Sequence, residues 1–204
     1  MNFEPVTVAV VYYSATGTVH AMAQAVAQGA EKAGAEVRLR KIAETASAEQ
    51  INARAEWAEH VGATADIPAV ELADLEWADA VVFGTPTRFG NVAAPLRAFM
   101  ETTNVLWFQG KLANKVYSGF TSSSTAHGGQ ETTLLALYNT FYHWGGIVVA
   151  PGYTDPIQFK SGNPYGTSHV VGDGAPGEIT LQAAQHQGHR AAEVAATLKA
   201  GRAA

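Results

Sequence analysis

Residues 10–30 read VVYYSATGTVHAMAQAVAQGA, and this stretch decides the fold. Its first part closes a run over residues 6–13 that is apolar, β-branched and aromatic, which is typical of a strand buried on both faces. From residue 19 apolar side chains recur three or four positions apart, which predicts a helix with one buried face that ends at Gly34. A buried strand that passes through the short loop SATGT into a helix predicts one unit of a parallel α/β sheet.

The same alternation of strands and helices continues along the chain. Residues 36–41 alternate charged and apolar side chains, as an edge strand does, whereas residues 43–79 carry little strand signal and are expected to be helical or irregular. Residues 151–177 are rich in Gly, Pro and Asp, which predicts a long loop. We predict further strands at residues 80–84, 116–121 and 146–150, and helices at residues 95–102, 131–144 and 179–198. The chain is therefore expected to be one α/β domain over residues 1–204, a three-layer sandwich around a five-stranded, parallel, doubly wound sheet.

The composition narrows the chemistry that the chain can perform. None of its 204 residues is cysteine, which excludes disulfides, thiolate catalysis and iron–sulfur clusters, so any redox reaction needs a bound cofactor. No histidine motif has metal-ligand spacing, and we expect no metal site. The formal net charge of −5 argues against nucleic acid and anionic membranes as partners. Residues 1–5 lack a basic signal-peptide start and no apolar run reaches the roughly 20 residues of a membrane span, so a cytoplasmic protein without membrane insertion is expected.

Three of the predicted strands end in unusual loops, which a parallel sheet would bring to one edge. The first loop, residues 14–18, has two interpretations: a plain turn with Ser or Thr as the helix N-cap, or an anion cradle built from hydroxyls and the unpaired N–H groups of the helix. It matches neither the P-loop nor the dinucleotide fingerprint. If it binds an anion, the loop is therefore expected to hold a monophosphate through neutral donors.

The second loop, residues 85–91, and the third loop, residues 122–129, are less specific signals. Pro86 and Gly90 suit a surface turn, but Arg88 and Phe89 directly after a buried strand favour a functional role. The small residues of the third loop are typical either of a flexible loop or of close backbone approach to a ligand. His143 lies at the end of a predicted helix, where a lone histidine is more often structural.

Four motifs in order along the chain resemble one known family. They are YYSxxG at residues 12–17, GTPTRFGN at residues 84–91, GGQE at residues 128–131 and NPYG at residues 163–166. Together they are similar to the WrbA-type NAD(P)H:quinone oxidoreductases, which are flavodoxin-like FMN proteins. The resemblance implies a flavodoxin-like fold, bound FMN, a homotetramer, and two-electron reduction of quinones by NADH or NADPH.

The resemblance also implies roles for individual residues. The FMN phosphate would be held by Ser14, Ala15, Thr16, Gly17, Thr18 and Val19. The flavin ring would lie against Pro86, Thr87, Arg88, Phe89, Gly90 and Asn91. The third loop would complete the cofactor site with Ser122, Ser123, Ser124, Thr125, Ala126, His127 and Gly128. The substrates would contact Thr16, His143 and, from a neighbouring subunit, Trp107.

These residues suggest a mechanism and leave two other classes open. Nicotinamide nucleotide and quinone would occupy one open flavin face in turn, with Arg88 stabilising negative charge and His143 donating a hydrogen bond or a proton to the quinone oxygen. One alternative is a flavodoxin-like electron carrier with a protein partner, although carriers usually have a strongly acidic docking face. Another alternative is a non-catalytic binding protein.

Overall fold

The computed structural model describes residues 5–203, and the strands within them form one sheet. The strands are β1 (Thr7–Tyr12), β2 (Glu36–Lys41), β3 (Ala80–Arg88), β4 (Asn91–Val92), β5 (Val116–Ser123), β6 (Ile147–Val148) and β7 (Ser168–Val170). Five of them pair in parallel in the order β2-β1-β3-β5-β6, while β4 pairs antiparallel with β3, and β7 pairs parallel with β5. The order reverses between β1 and β3, which confirms the predicted doubly wound sheet with β2 at its edge.

Helices cover both faces of this sheet. They are α1 (Thr18–Lys32), α2 (Ala48–Asn52), α3 (Ala55–Ala63), α4 (Leu72–Trp77), α5 (Ala94–Thr102), α6 (Asn104–Phe108), α7 (Gln130–His143), α8 (Pro156–Ser161) and α9 (Glu178–Ala203). Val8 and Val10 of β1 pack with α1 and α9, whereas Ala9 and Val11 pack with α5 and α7 on the opposite face. Alternate residues thus enter two cores, which is why β1 is apolar throughout.

The pairing register places the ends of the three central strands at one edge. Tyr12, the last residue of β1, pairs with Gly84 of β3, and Pro86 of β3 pairs with Ser122 of β5. The first, second and third loops leave the sheet from these positions. The expected convergence of the three loops therefore follows from the parallel register.

Two predicted boundaries were wrong because tertiary pairing extends the strands. β3 continues past Gly84 to Arg88, since the start of the second loop forms a hairpin with β4 in which Thr87 pairs with Val92. β5 likewise runs through Ser123, because its last three residues pair with β7. Parts of the second and third loops are consequently rigid strand.

The predicted long loop at residues 151–177 was also wrong, because it contains ordered elements. Asp155 caps α8 by accepting a hydrogen bond from the Ile157 N–H at 2.8 Å. β7 follows, and a 3₁₀ turn at Val171–Asp173 comes after it. The other predicted helices and strands are present, with the strand at residues 146–150 shortened to β6, and α6 was not predicted.

The structure tests only part of the expectations about the N-terminus and about membrane insertion. Residues 1–4 lie outside the described residues. Across residues 5–203, no helix combines the length and the apolar content that spanning a bilayer requires.

The crossing of α1 and α9 depends on glycine and gives a test of the packing. A Cβ on Gly188 would lie 2.0 Å from the carbonyl oxygen of Val26, so Gly188→Ala must push the helices apart. We expect a loss of about 2–3 kcal/mol in the free energy of unfolding, measured in urea. Gly201→Ala is the matched control, since it adds a methyl group to the same helix with nothing within 4 Å. Equal stabilities for the two variants would contradict this packing.

Candidate functional site

The N-terminus of α1 carries no side-chain cap. Its N-cap residue is Gly17, at φ +96°, and its first turn contains no acidic residue. The first N–H groups of a helix have no partner within the helix, and the helix dipole makes this end electropositive. The N-terminus of α1 therefore offers unpaired N–H donors and a favourable electrostatic potential to an external anion.

Ser14 shapes the first loop and leaves the helix end open. Its Oγ accepts a hydrogen bond from the Gly17 N–H at 3.1 Å, which closes the turn between β1 and α1. The interpretation of the loop as a turn with a Ser or Thr N-cap is therefore wrong. The anion cradle is the interpretation that agrees with the geometry.

The three loops enclose a cavity of about 280 Å³, which we call the cradle. Hydroxyl groups, small side chains and two arginines line it. The lining residues are Ser14, Ala15, Thr16, Thr18, Val19, Arg54, Pro86, Thr87, Arg88, Ser122, Ser123, Ser124 and Val171. All three loops that the sequence singled out thus contribute to one site.

The charge of the cradle differs from the sequence expectation. Arg54 and Arg88 line it, and no carboxylate does. Arg54 is the N-cap residue of α3, within the segment for which the sequence indicated only helical or irregular structure. The first loop itself supplies only neutral donors, Arg88 was among the predicted site residues, and Arg54 is the positive charge that the sequence did not predict. No local motif marks Arg54, because its position depends on how residues 43–79 fold back over the strand ends.

Hydrogen bonds from one threonine fix the second loop. Thr87 Oγ1 lies 2.7 Å from Thr133 Oγ1 of α7 and accepts a hydrogen bond from the Gly90 N–H at 3.2 Å. Phe89, between them, has φ +53° and a fully exposed side chain. A bulky residue at positive φ is rare and costs of order 1–3 kcal/mol, so the surrounding contacts must impose this conformation. The result is an exposed aromatic ring held beside the cradle.

The start of the third loop is fixed by hydrogen bonds, and its tip is exposed to solvent. Ser123 Oγ donates a hydrogen bond to the Thr125 carbonyl oxygen at 2.7 Å and accepts one from Gln130 Nε2 at 2.8 Å. Ser122, Ser123 and Ser124 line the cradle, whereas the tip beyond them is exposed. Eight of the residues predicted to contact a cofactor do not line the cradle: Gly17, Phe89, Gly90, Asn91, Thr125, Ala126, His127 and Gly128.

The residues predicted to contact substrates fall into two places. Thr16 is exposed and lines the cradle, but Trp107 and His143 line a separate cavity of about 590 Å³ together with Asn91. The Trp107 Nε1–H donates a hydrogen bond to the His143 carbonyl oxygen at 2.9 Å. Within one chain the structure thus brings these two residues to each other, and not to the cradle.

Metal chemistry gains no support from the described part of the chain. Between residues 5 and 203, no three His, Cys, Asp or Glu side chains are grouped so that they could hold a metal ion. The donor set of the cradle consists of hydroxyls, N–H groups and guanidinium groups, which suits an anion.

Comparison with known proteins places these features in a family. The model of the NADPH-dependent FMN reductase family matches residues 7–156. A protein of Deinococcus radiodurans named NAD(P)H dehydrogenase (quinone) is 49% identical over 196 residues, covering 95% of this chain and 98% of its own. A protein of the same name from Sinorhizobium fredii is 45% identical over 199 residues, covering 94% of this chain and 98% of its own.

Solved structures give the same picture of the fold. A WrbA-like flavodoxin from Agrobacterium tumefaciens superimposes with a TM-score of 0.69 at 29% identity, covering 94% of this chain and 98% of that chain. A flavodoxin from the domain Archaea, at 19% identity and a TM-score of 0.61, covers 94% and 99% and supports the fold alone. The predicted flavodoxin-like fold is confirmed.

The open end of α1 gives a test that needs no cofactor. Thr18→Asp places a carboxylate in the first turn, where it interacts favourably with the helix dipole and competes with an external anion. We expect its melting temperature without phosphate to equal or exceed that of the parent chain. We also expect it to lose the rise of about 2–4 °C that millimolar inorganic phosphate gives the parent chain.

The control for this test is Thr18→Asn, which has nearly the same shape without the charge. It should keep most of the phosphate-dependent rise in melting temperature. A rise that persists in Thr18→Asp would show that phosphate binds elsewhere.

Proposed function

The chain belongs to the NADPH-dependent FMN reductase family, and on that premise we propose that it is an FMN-dependent NAD(P)H:quinone oxidoreductase. The observation that carries the proposal is the uncapped N-terminus of α1, which opens into a cradle formed by the ends of three parallel strands. Relatives that cover nearly the whole chain carry the name NAD(P)H dehydrogenase (quinone), which gives the reaction class.

The residues of the cradle fit FMN. The N–H groups of the first turn of α1 and the hydroxyls of Thr16 and Thr18 provide donors for the phosphate, and Arg54 adds a positive charge. A Cβ on Gly129 would lie 2.8 Å from Gly90 Cα, so the second and third loops approach closely only because glycine occupies that position. FMN supplies the hydride acceptor that no side chain provides.

We assign the chemistry to the side of the cradle away from the phosphate. Arg88 is exposed at its rim, where its Nη1 donates a hydrogen bond to the Thr87 carbonyl oxygen at 3.1 Å, and its remaining N–H groups would stabilise negative charge on a reduced ring or on a substrate. Thr16, also exposed, is placed to contact the nicotinamide nucleotide. NAD(P)H and quinone would occupy the same open face in turn, so each must leave before the other binds.

We propose that Trp107 and His143 approach such a face from another copy of the chain. They line their own cavity in the single chain, and nearby in sequence Val105, Phe108 and Tyr142 carry exposed apolar side chains. Large exposed apolar groups that lie together are typical of a protein contact. We therefore propose a homotetramer in which Trp107 and His143 of one subunit approach the cradle of its neighbour.

A single assay separates this enzyme from a flavodoxin-like electron carrier. The FMN-loaded protein is mixed with NADH or NADPH and a simple benzoquinone, and oxidation of the nicotinamide is followed without any protein partner. Sustained turnover is the result that the proposal predicts. A protein that retains FMN but gives no turnover with either nucleotide would be a carrier.

His143 gives the sharpest mutational test of the substrate side. Because Trp107 is held by the carbonyl oxygen of residue 143, His143→Ala removes the imidazole and keeps that hydrogen bond. Loss of a proton or hydrogen-bond donor should slow reoxidation of the reduced enzyme by benzoquinone about 10²-fold or more, measured by stopped flow. Reduction by NADH should change much less.

The matched control is His189→Ala, on the surface of α9. It should leave both half-reactions unchanged. If His143→Ala also leaves quinone reduction unchanged, the role proposed for His143 is wrong.

A further inference from the structure

Two histidines lie together behind the first loop, outside the cradle. His20 is in the first turn of α1, His60 is in α3, and their ring centroids are 5.5 Å apart. His20 Nδ1 lies 2.7 Å from the Tyr12 hydroxyl at the end of β1. A phenol oxygen both donates and accepts, so this hydrogen bond persists whether His20 is neutral or protonated.

The pair is separated from the cradle by only the thickness of the first loop. His60 lines a small cavity of about 90 Å³ to which Ser14 also contributes, and Ser14 lines the cradle as well. A Cβ on Gly17 would lie 3.5 Å from His60 Nδ1, so the imidazole rests against the N-cap residue of α1. An anion at this helix end would therefore lie near the His60 ring, which is in turn the neighbour of the His20 ring.

Other charged groups face His60 and are already engaged. Lys41 of β2 donates a hydrogen bond from Nζ to the Thr64 carbonyl oxygen. Glu44 accepts hydrogen bonds at 3.0 Å from the Tyr13 hydroxyl and from Trp57 Nε1. The structure gives the His60 ring no hydrogen-bond partner in residues 5–203. The Glu44 carboxylate, which lines the small cavity, thus already accepts hydrogen bonds from the Tyr13 and Trp57 side chains and from the N–H groups of Thr45 and Ala46.

The charges on neighbouring elements do not favour a protonated pair in the free protein. On α3 itself, Glu56 lies one turn before His60, and Arg54 lies at the start of the helix. Burial lowers the pKa of His20, and the nearby His60 lowers it further. Burial also lowers the pKa of His60, with a further contribution from Lys41. Burial and these neighbouring charges therefore both disfavour the charged form of the two rings when the cradle holds no anion.

We propose that His20 and His60 are part of the phosphate-binding end of the cofactor site, and that the pair takes up a proton when the phosphate of FMN binds at the N-terminus of α1. The inference rests on the proposed function, because it takes FMN as the ligand. A dianionic phosphate next to the rings favours their charged form, which offsets the burial that disfavours it. The pair would therefore supply positive charge only when the cofactor is present.

The direction of the pH dependence follows from this linkage. Binding raises the pKa of the pair above its value in the free protein, so proton uptake accompanies binding. While the phosphate is dianionic, affinity therefore falls as pH rises through the pKa of the bound state. Because the second pKa of a phosphate is about 6, the ligand itself stays dianionic above about pH 7. The Kd for FMN is expected to rise about threefold between about pH 7 and pH 8.5.

The experiment measures FMN binding to the apoprotein by quenching of flavin fluorescence across this pH range. Riboflavin, which has the same ring without the phosphate, serves as the ligand control and should give a Kd that does not change with pH. The double variant His20→Gln/His60→Gln should bind FMN with a pH-independent Kd. His189→Gln, at a half-exposed position of α9 where the ring contacts Glu193, should keep the dependence of the parent chain.

A second measurement on the parent chain avoids any folding defect of the variants. Calorimetric titration of FMN in buffers of different ionisation enthalpy counts protons directly, and net uptake near pH 7.5 is expected with FMN but not with riboflavin. FMN binding without proton uptake, or a pH dependence that survives in the double variant, would overturn this inference and leave the proposed function standing. Failure to bind FMN at any pH would overturn both.

Discussion

The parallel register of β1, β3 and β5 is the constraint on which the site depends. Backbone pairing of Tyr12 with Gly84 and of Pro86 with Ser122 ends the three strands at one edge, so loops that are far apart in sequence must meet there. Two apolar cores, one on each face, fix that register, since a slip of one residue would move every side chain of β1 to the opposite core. The cradle is thus a direct consequence of how the sheet is buried.

The electrostatic potential at this edge of the sheet favours anion binding, although no lysine within residues 5–203 lines the cradle. The N-cap residue Gly17 has no side chain that could cap α1. The Ser14 hydroxyl accepts the Gly17 N–H within the first loop. Arg54 lines the cradle, and the histidine pair lies behind the first loop, with His20 in the first turn of α1 and His60 in α3. Holding a phosphate at this end leaves the exposed rim, with Arg88 and Phe89, for the reactive part of a cofactor. The proposed function thus assigns phosphate anchoring and hydride chemistry to opposite ends of one site.

The parallel sheet, its edge strand and the three loops could be predicted from the sequence because each rests on local pattern: an apolar run, an alternation of side chains, a helical period or a dense group of small residues. Sequence reasoning missed Arg54 and the approach of His60 to Gly17, since both depend on how residues 43–79 fold over the strand ends. It also ended β3 too early at Gly84, because Thr85–Arg88 becomes strand only through pairing with β4 and β5. Trp107 and His143 came from family resemblance alone, and within one chain they lie outside the cradle.

The central claim is that the N-terminus of α1 holds the phosphate of FMN. The most direct test is to follow backbone amide chemical shifts by NMR as FMN or riboflavin is added to the isotopically labelled apoprotein. The account predicts that FMN shifts the amides of Gly17, Thr18 and Val19 most strongly and that riboflavin leaves these three nearly unchanged. Equal shifts from both ligands at these amides, or FMN shifts confined to the cavity of Trp107 and His143, would contradict it.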